Sequence, residues 1–278
     1  MPTQDQRFLL TRRTDLRFGP VDFAPNYDSR GRRSGVPFTL LTQVALGAMA
    51  APDDDLLIDD ATGASELPNE AETVTWSASQ RGTGPLDNAD TPASIVLKDV
   101  DGNLVTVIPL GIELADGRYQ ERALTTVVTH SSSVVALTVV HAGYDRWGQK
   151  VVETHAISAG TTSKTVAGKK AMAFWEQTAI TAAADASANT LKLGTNDVLG
   201  LHYRAASKAD VVRVFFNGAI DDSATVVAAV DTTPSATTGD VRGTVDPSSA
   251  CDGSEVVVWL AVDPTSKATA YGVDQYAG

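Results

Sequence analysis

The stretch from Leu124 to Trp175, LTTVVTHSSSVVALTVVHAGYDRWGQKVVETHAISAGTTSKTVAGKKAMAFW, restricts the fold more than any other part of the sequence. Its apolar runs are short, rich in Val and Thr, and cut by Ser, Gly and Asp clusters. Val127–His130 leads to Ser131-Ser132-Ser133, Val134–His141 leads away, and Tyr144-Asp145-Arg146-Trp147-Gly148 turns the chain into Val151–Ile157. Gly160-Thr161-Thr162 ends that run before Ser163–Val166, and Gly168 precedes Ala171–Trp175. A branched Cβ packs well on a pleated surface and loses side-chain freedom in a helix, so these runs are strands. The expectation is an antiparallel sheet core forming one layer of a sandwich.

The same pattern continues on both sides. Glu72–Ser77 alternates, and Ser94–Lys98 with Leu104–Ile108 flank Asp101-Gly102-Asn103, a pair suited to the positive φ of a tight hairpin. After residue 206 strands recur at regular spacing (Asp210–Phe216, Ala224–Val230, Gly239–Thr244, Glu255–Val262, Ala268–Val273), separated by turns such as Asn217-Gly218 and Asp263-Pro264. Ala179–Ala188 reads as a strand plus loop or as one short helix. Phe38–Met49 is the best helix candidate, with Phe38, Leu41, Ala45 and Ala48 on one face. The predicted fold is mainly β: antiparallel sandwich-like domains with an extended N-terminal arm and at most one short helix. The chain divides into the arm over residues 1–35, a main β domain over 36–205 and a C-terminal β subdomain over 206–278.

Charge sets the first 35 residues apart. They hold seven arginines, no lysine and four aspartates, a balance of +3, so the other 243 residues carry −15 of the net −12. Neither a period of 2 nor one of 3.6 runs through them. Two readings stand. One is a frayed terminus. The other is an arm that orders against an acidic neighbour, because the arginine fork pairs with a carboxylate bidentately. On the second reading the contacting residues are Arg7, Phe8, Leu9, Leu10, Arg12, Arg13, Arg17, Phe18, Arg30, Arg32 and Arg33. The acidic body argues against nucleic acid as a partner. No secretory signal and no apolar run long enough to span a bilayer is read in the sequence, so no membrane partner is expected.

Reactive chemistry has few footholds. The one cysteine, Cys251, rules out an internal disulfide framework. The four histidines (His130, His141, His155, His202) lack zinc-type spacing. If Tyr144 pairs with Gln149, then His141 lies opposite Val152 and His155 opposite Thr138, and the two histidines do not meet. No Gly-x-Ser-x-Gly elbow, phosphate loop or dinucleotide fingerprint occurs. Asp53-Asp54-Asp55 begins a calcium-loop spacing that Leu57 breaks, which favours a solvated loop over a weak cation site. Trp76, Trp147, Trp175 and Trp259 read as core or interface anchors. The expectation is a non-enzymatic protein without metal or cofactor.

Three segments carry a family likeness: Val166-Ala167-Gly168-Lys169-Lys170-Ala171, Asp197-Val198-Leu199-Gly200-Leu201-His202-Tyr203-Arg204, and Thr238-Gly239-Asp240-Val241-Arg242-Gly243-Thr244-Val245-Asp246-Pro247. Over about residues 134–275 the chain resembles virion structural proteins of tailed bacteriophages, in particular capsid decoration (cement or knob) proteins of marine phages. His202 stands where that pattern has proline. The resemblance implies a subunit on the virion surface, assembled in the host cytoplasm, that binds the major capsid protein and forms a homo-oligomer, a trimer or a dimer. A tail, collar or fibre-attachment protein is the alternative, and a depolymerase on a β scaffold a more distant one.

Overall fold

The computed structural model describes residues 16–17, 41–61, 67–78, 93–98, 104–114 and 120–262, and over these the fold is mainly antiparallel β. Among the described residues seventeen strands fall into three sheets. Sheet I has the order β1 (Leu16–Arg17), β2 (Leu41–Ala48), β17 (Glu255–Ala261), β13 (Val211–Phe216), β14 (Ala219–Ile220). Sheet II runs β10 (Ser163–Met172), β7 (Arg122–Thr129), β12 (Thr190–Gly200), β16 (Gly243–Asp246), β15 (Thr225–Ala228), with β3 (Ile58–Ala61) also on β12. Sheet III runs β5 (Ala93–Lys98), β6 (Leu104–Glu113), β11 (Phe174–Ala182), β8 (Leu137–Tyr144), β9 (Lys150–Ile157), with β4 (Thr73–Ser77) also on β11.

Sheets II and III face one another. Leu124 and Val128 of β7 and Leu191 and Leu193 of β12 pack on Val139, Val151, Ile157, Trp175 and Ile180, all buried. The Leu124–Trp175 stretch therefore supplies strands to both layers, not to one. The Ser131-Ser132-Ser133 turn carries the chain from sheet II to sheet III rather than closing a hairpin. Sheet I covers the far end of sheet II, where Val44, Leu46, Val256, Val258 and Leu260 meet Leu199, Leu201 and Val245. Strand β12 serves both cores. Its ladder to β7 is interrupted between Thr195 and Leu199, and there Asn196 Nδ2 donates to the Leu124 carbonyl at 3.0 Å.

Two expectations fail here. Residues 41–48 form β2 and not a helix: Thr42, Val44 and Leu46 point inward while Gln43 and Ala45 are exposed, a period of two. Gly47 at φ +117 cannot belong to a right-handed helix, and a Cβ there would collide with the Gln120 side chain. The helical face was a coincidence of small residues. Second, Tyr144 pairs with Lys150, not Gln149. Asp145 Oδ1 accepts from the backbone N–H of Trp147 (2.9 Å) and of Gln149 (2.8 Å), which lengthens the turn by one residue. His141 then faces Glu153 and His155 faces Val139, so both histidines point into the sandwich.

The pairings of β4, β5 with β6, β13 and β17 agree with the strands read from sequence. Asn217 (φ 51) and Gly218 (φ 74) make the tight turn between β13 and β14, where both residues need the left-handed region. After β11 the chain leaves as a strand plus loop. Strands before and after residue 205 pair directly, β2 with β17 and β12 with β16. Residues 268–273 lie outside the described residues.

Candidate functional site

Of the arm residues, Arg17 lies in β1, with Leu16 opposite Thr42 and Arg17 opposite Leu41. Arg7, Phe8, Leu9, Leu10, Arg12, Arg13, Phe18, Arg30, Arg32 and Arg33 lie outside the described residues. Arg17 and Leu41 are cross-strand partners, so their backbones lie one strand spacing apart, about 5 Å.

The histidines give the clearest polar constellation. Trp175, an obligate donor, gives its indole N–H to Thr178 Oγ1 at 2.9 Å. Thr178 donates to His141 Nδ1 (2.9 Å), His141 Nε2 donates to Thr126 Oγ1 (3.0 Å), and Thr126 donates to His155 Nδ1 (2.8 Å). This single direction of donation satisfies every link and makes His141 a neutral Nε2–H tautomer. His155 Nε2 then faces Glu153 Oε2 at 3.6 Å, and neither atom has another partner among the described residues. Glu153 Oε1 accepts from the backbone of Lys169 (2.5 Å) and Lys170 (3.3 Å). Burial, then the neighbouring His155, holds His141 well below the usual histidine range. Parity turns Thr126 of β7, His141 of β8 and Glu153 and His155 of β9 inward, and the ladder irregularity between Trp175 and Gln177 lets β11 bury both Trp175 and Thr178.

Replacing Thr178 by Val keeps the shape but strands the Trp175 N–H and His141 Nδ1. The expected loss is about 1–3 kcal/mol in urea unfolding, with Thr178→Ser close to the parent. Equal stability of the Val variant and the parent would show that the chain of bonds contributes nothing.

A second buried cluster ties sheet II to the β8–β9 turn. Arg242 donates through Nε to the Leu201 carbonyl (3.0 Å), through one terminal nitrogen to Asp145 Oδ2 (2.6 Å) and through the other to Glu121 Oε1. Asp240 accepts from the backbone of Arg242 (2.7 Å), Gly243 (3.2 Å) and Ala171 (3.3 Å). Lys170 Nζ donates to the Gly239 carbonyl at 3.3 Å. Burial works against the Arg242 charge, but Glu121, Asp240 and Asp145 outweigh it and raise its pKa. Burial pushes Glu121 up to about 7 against the pull of Arg242, and its Oε2 has no hydrogen-bond partner among the described residues. Burial, then Arg146 and Arg242, drives His202 down to about 3.

These two clusters are interior and bind neighbouring strands to one another. They hold groups in place; nothing in them is presented to a substrate. Sequence reasoning missed both because their residues lie far apart in the chain, and the signal that could have found the second is the charge in Asp240-Val241-Arg242 just before a strand-forming run.

The remaining candidates are quickly placed. Cys251 is buried, and burial with Asp197 pushes its thiol up to about 12, too high for a nucleophile at neutral pH. His130 Nδ1 accepts from the backbone of Ser132 and Ser133 at 3.0 and 3.1 Å, which caps a turn. Asp53, Asp54 and Asp55 can bring carboxylate oxygens within 4.8 Å of one another, but Lys192 Nζ already pairs with Asp55 at 3.0 Å. Trp76 and Trp175 are core residues; Trp147 is exposed under Arg146, and Trp259 packs beside Phe215 at 5.2 Å between ring centres. No protein family, curated protein or solved structure matches the chain.

Proposed function

We propose that the chain is a non-enzymatic structural subunit of a phage virion, a decoration protein that attaches to the outer surface of the capsid and stabilises the head. The observation that carries this reading is the charge split: residues 1–35 hold seven arginines and no lysine against an acidic body, and Arg17 pairs with Leu41 at the edge of sheet I. Arg30, Arg32 and Arg33 suit a carboxylate-bearing partner surface, because the arginine fork pairs with a carboxylate bidentately. The sequence resemblance over the C-terminal half supports the virion setting, and the β-rich, disulfide-free build accords with a subunit stabilised by assembly.

Substituting Arg30, Arg32 and Arg33 together by serine is expected to weaken binding to capsids of the cognate major capsid protein by at least about tenfold, measured by cosedimentation in moderate salt. Undiminished binding would end the reading of these arginines as anchor. A cryo-electron map of intact particles tests the position itself. Copies spread over the head lattice support decoration, and copies confined to one vertex or the tail support the collar or fibre alternative.

A further inference from the structure

The outer face of sheet II carries an open hollow. Leu124, Thr126 and Val128 point into the sandwich, so Thr125 and Val127 between them point away from it, with Thr165 of β10 beside Val127. Segment 50–54 runs over these residues and is fastened where the Thr195 N–H donates to the Asp53 carbonyl at 2.7 Å. Between the two lies a cavity of about 680 Å³, a size usual for small-molecule sites.

This lining accepts far more hydrogen bonds than it donates. Asp53, Asp54 and Asp197 bring three carboxylates, and among the described residues no lysine, arginine or histidine lines the wall. Arg122, behind the wall, lies 3.9 Å from Asp197 and offsets its charge, and Lys192 offsets Asp55 at 3.0 Å. Asp53 and Asp54 are left without a cation among the described residues. Thr125 points to a ligand independently of the acids. It is only 8% exposed, yet its hydroxyl faces the cavity with no hydrogen-bond partner among the described residues, a cost that a bound polar group removes.

Val127, Ala51 and Pro52 add aliphatic surface to the same lining. Acceptors set around aliphatic surface suit an alkyl chain that carries ammonium groups, each a donor of three hydrogen bonds. The acidic loop already holds one such group, Lys192 Nζ on Asp55. A bare divalent ion fits less well, because the closest set of oxygens, on Asp53, Asp54 and Asp55, includes the carboxylate that Lys192 occupies.

We propose that this cavity binds an aliphatic polyamine, with one ammonium on Asp53 and Asp54, the alkyl chain along Val127, Ala51 and Pro52, and a further amine at Thr125. The site is independent of the arm and of the virion reading.

Calorimetric titration of the full chain with spermidine at low salt is expected to show saturable binding. Asp54→Asn is expected to raise the dissociation constant at least about tenfold, and Thr125→Val to raise it about fivefold, with Thr125→Ser close to the parent. Asp54 is exposed, so its substitution leaves the core intact. Asp222→Asn, which removes an equally exposed carboxylate outside the cavity lining, is expected to leave binding unchanged. Equal losses in Asp54→Asn and Asp222→Asn would reduce the binding to the overall negative charge and overturn the proposal. Absence of saturable binding overturns it too, as does displacement of spermidine by an equal concentration of calcium, which would assign the site to a divalent ion.

Discussion

Replacing Arg242 by methionine is expected to cost about 3–5 kcal/mol of folding stability, the largest effect of any single substitution considered for this chain. The guanidinium is fully buried and is the only side-chain cation in hydrogen-bond contact with both Asp145 and Glu121 among the described residues. Without it these carboxylates and Asp240 must take up protons or draw water into the interior, and each course is costly. Arg242→Lys is expected to restore only part of the loss, because an ammonium cannot reach Asp145, Glu121 and the Leu201 carbonyl together as the planar fork does. The measurement is the urea midpoint at fixed slope. A methionine variant as stable as the parent would mean that burial of the cluster cancels its attraction.

The second large effect is a two-stage loss of stability in acid. His141 and His202 are held neutral in the fold, below the ordinary histidine pKa of 6.5, so unfolding takes up their protons once the pH drops below that value. Glu121 acts in the opposite sense: held up to about 7 against 4.5, it binds a proton in the fold that the unfolded chain lacks between those values. From pH 6.5 to 4.5 two histidine protons are partly offset by one from Glu121, and these three groups make stability fall by about 1 kcal/mol per pH unit. Below 4.5 the offset is gone, and their contribution becomes about twice as steep until His202 titrates near 3. Chemical denaturation at stepped pH reads this slope. Glu121→Gln is expected to make the steeper slope begin at 6.5. A variant whose slope between 6.5 and 4.5 matches the parent would show that Glu121 carries no proton there. Comparing the two proteins cancels the carboxylates common to both.

The sequence by itself determined the class of the fold. Short Val- and Thr-rich runs bounded by turn residues can bury a face only as strands, and Asn217-Gly218 marks its hairpin through backbone sterics alone. The isolation of the arginines in the first 35 residues was equally legible, because charge is counted and needs no contacts. Local information failed wherever two periods fitted one stretch. Over residues 41–48 small residues satisfy a helical stripe and an alternating one, and pairing with β17 decides between them. It failed again at the turn after Tyr144, where the hydrogen bonds of Asp145 add one residue and reverse the face of every later side chain in β9. Only the tertiary structure decided that His141, Thr126 and His155 share a core, that Glu121, Asp145 and Arg242 form one buried ion cluster, and that the arm is pinned at Arg17. Each of these joins residues far apart in the chain, by up to 121 positions. A register shift of one residue creates or abolishes such a contact, since successive side chains on a strand point to opposite faces.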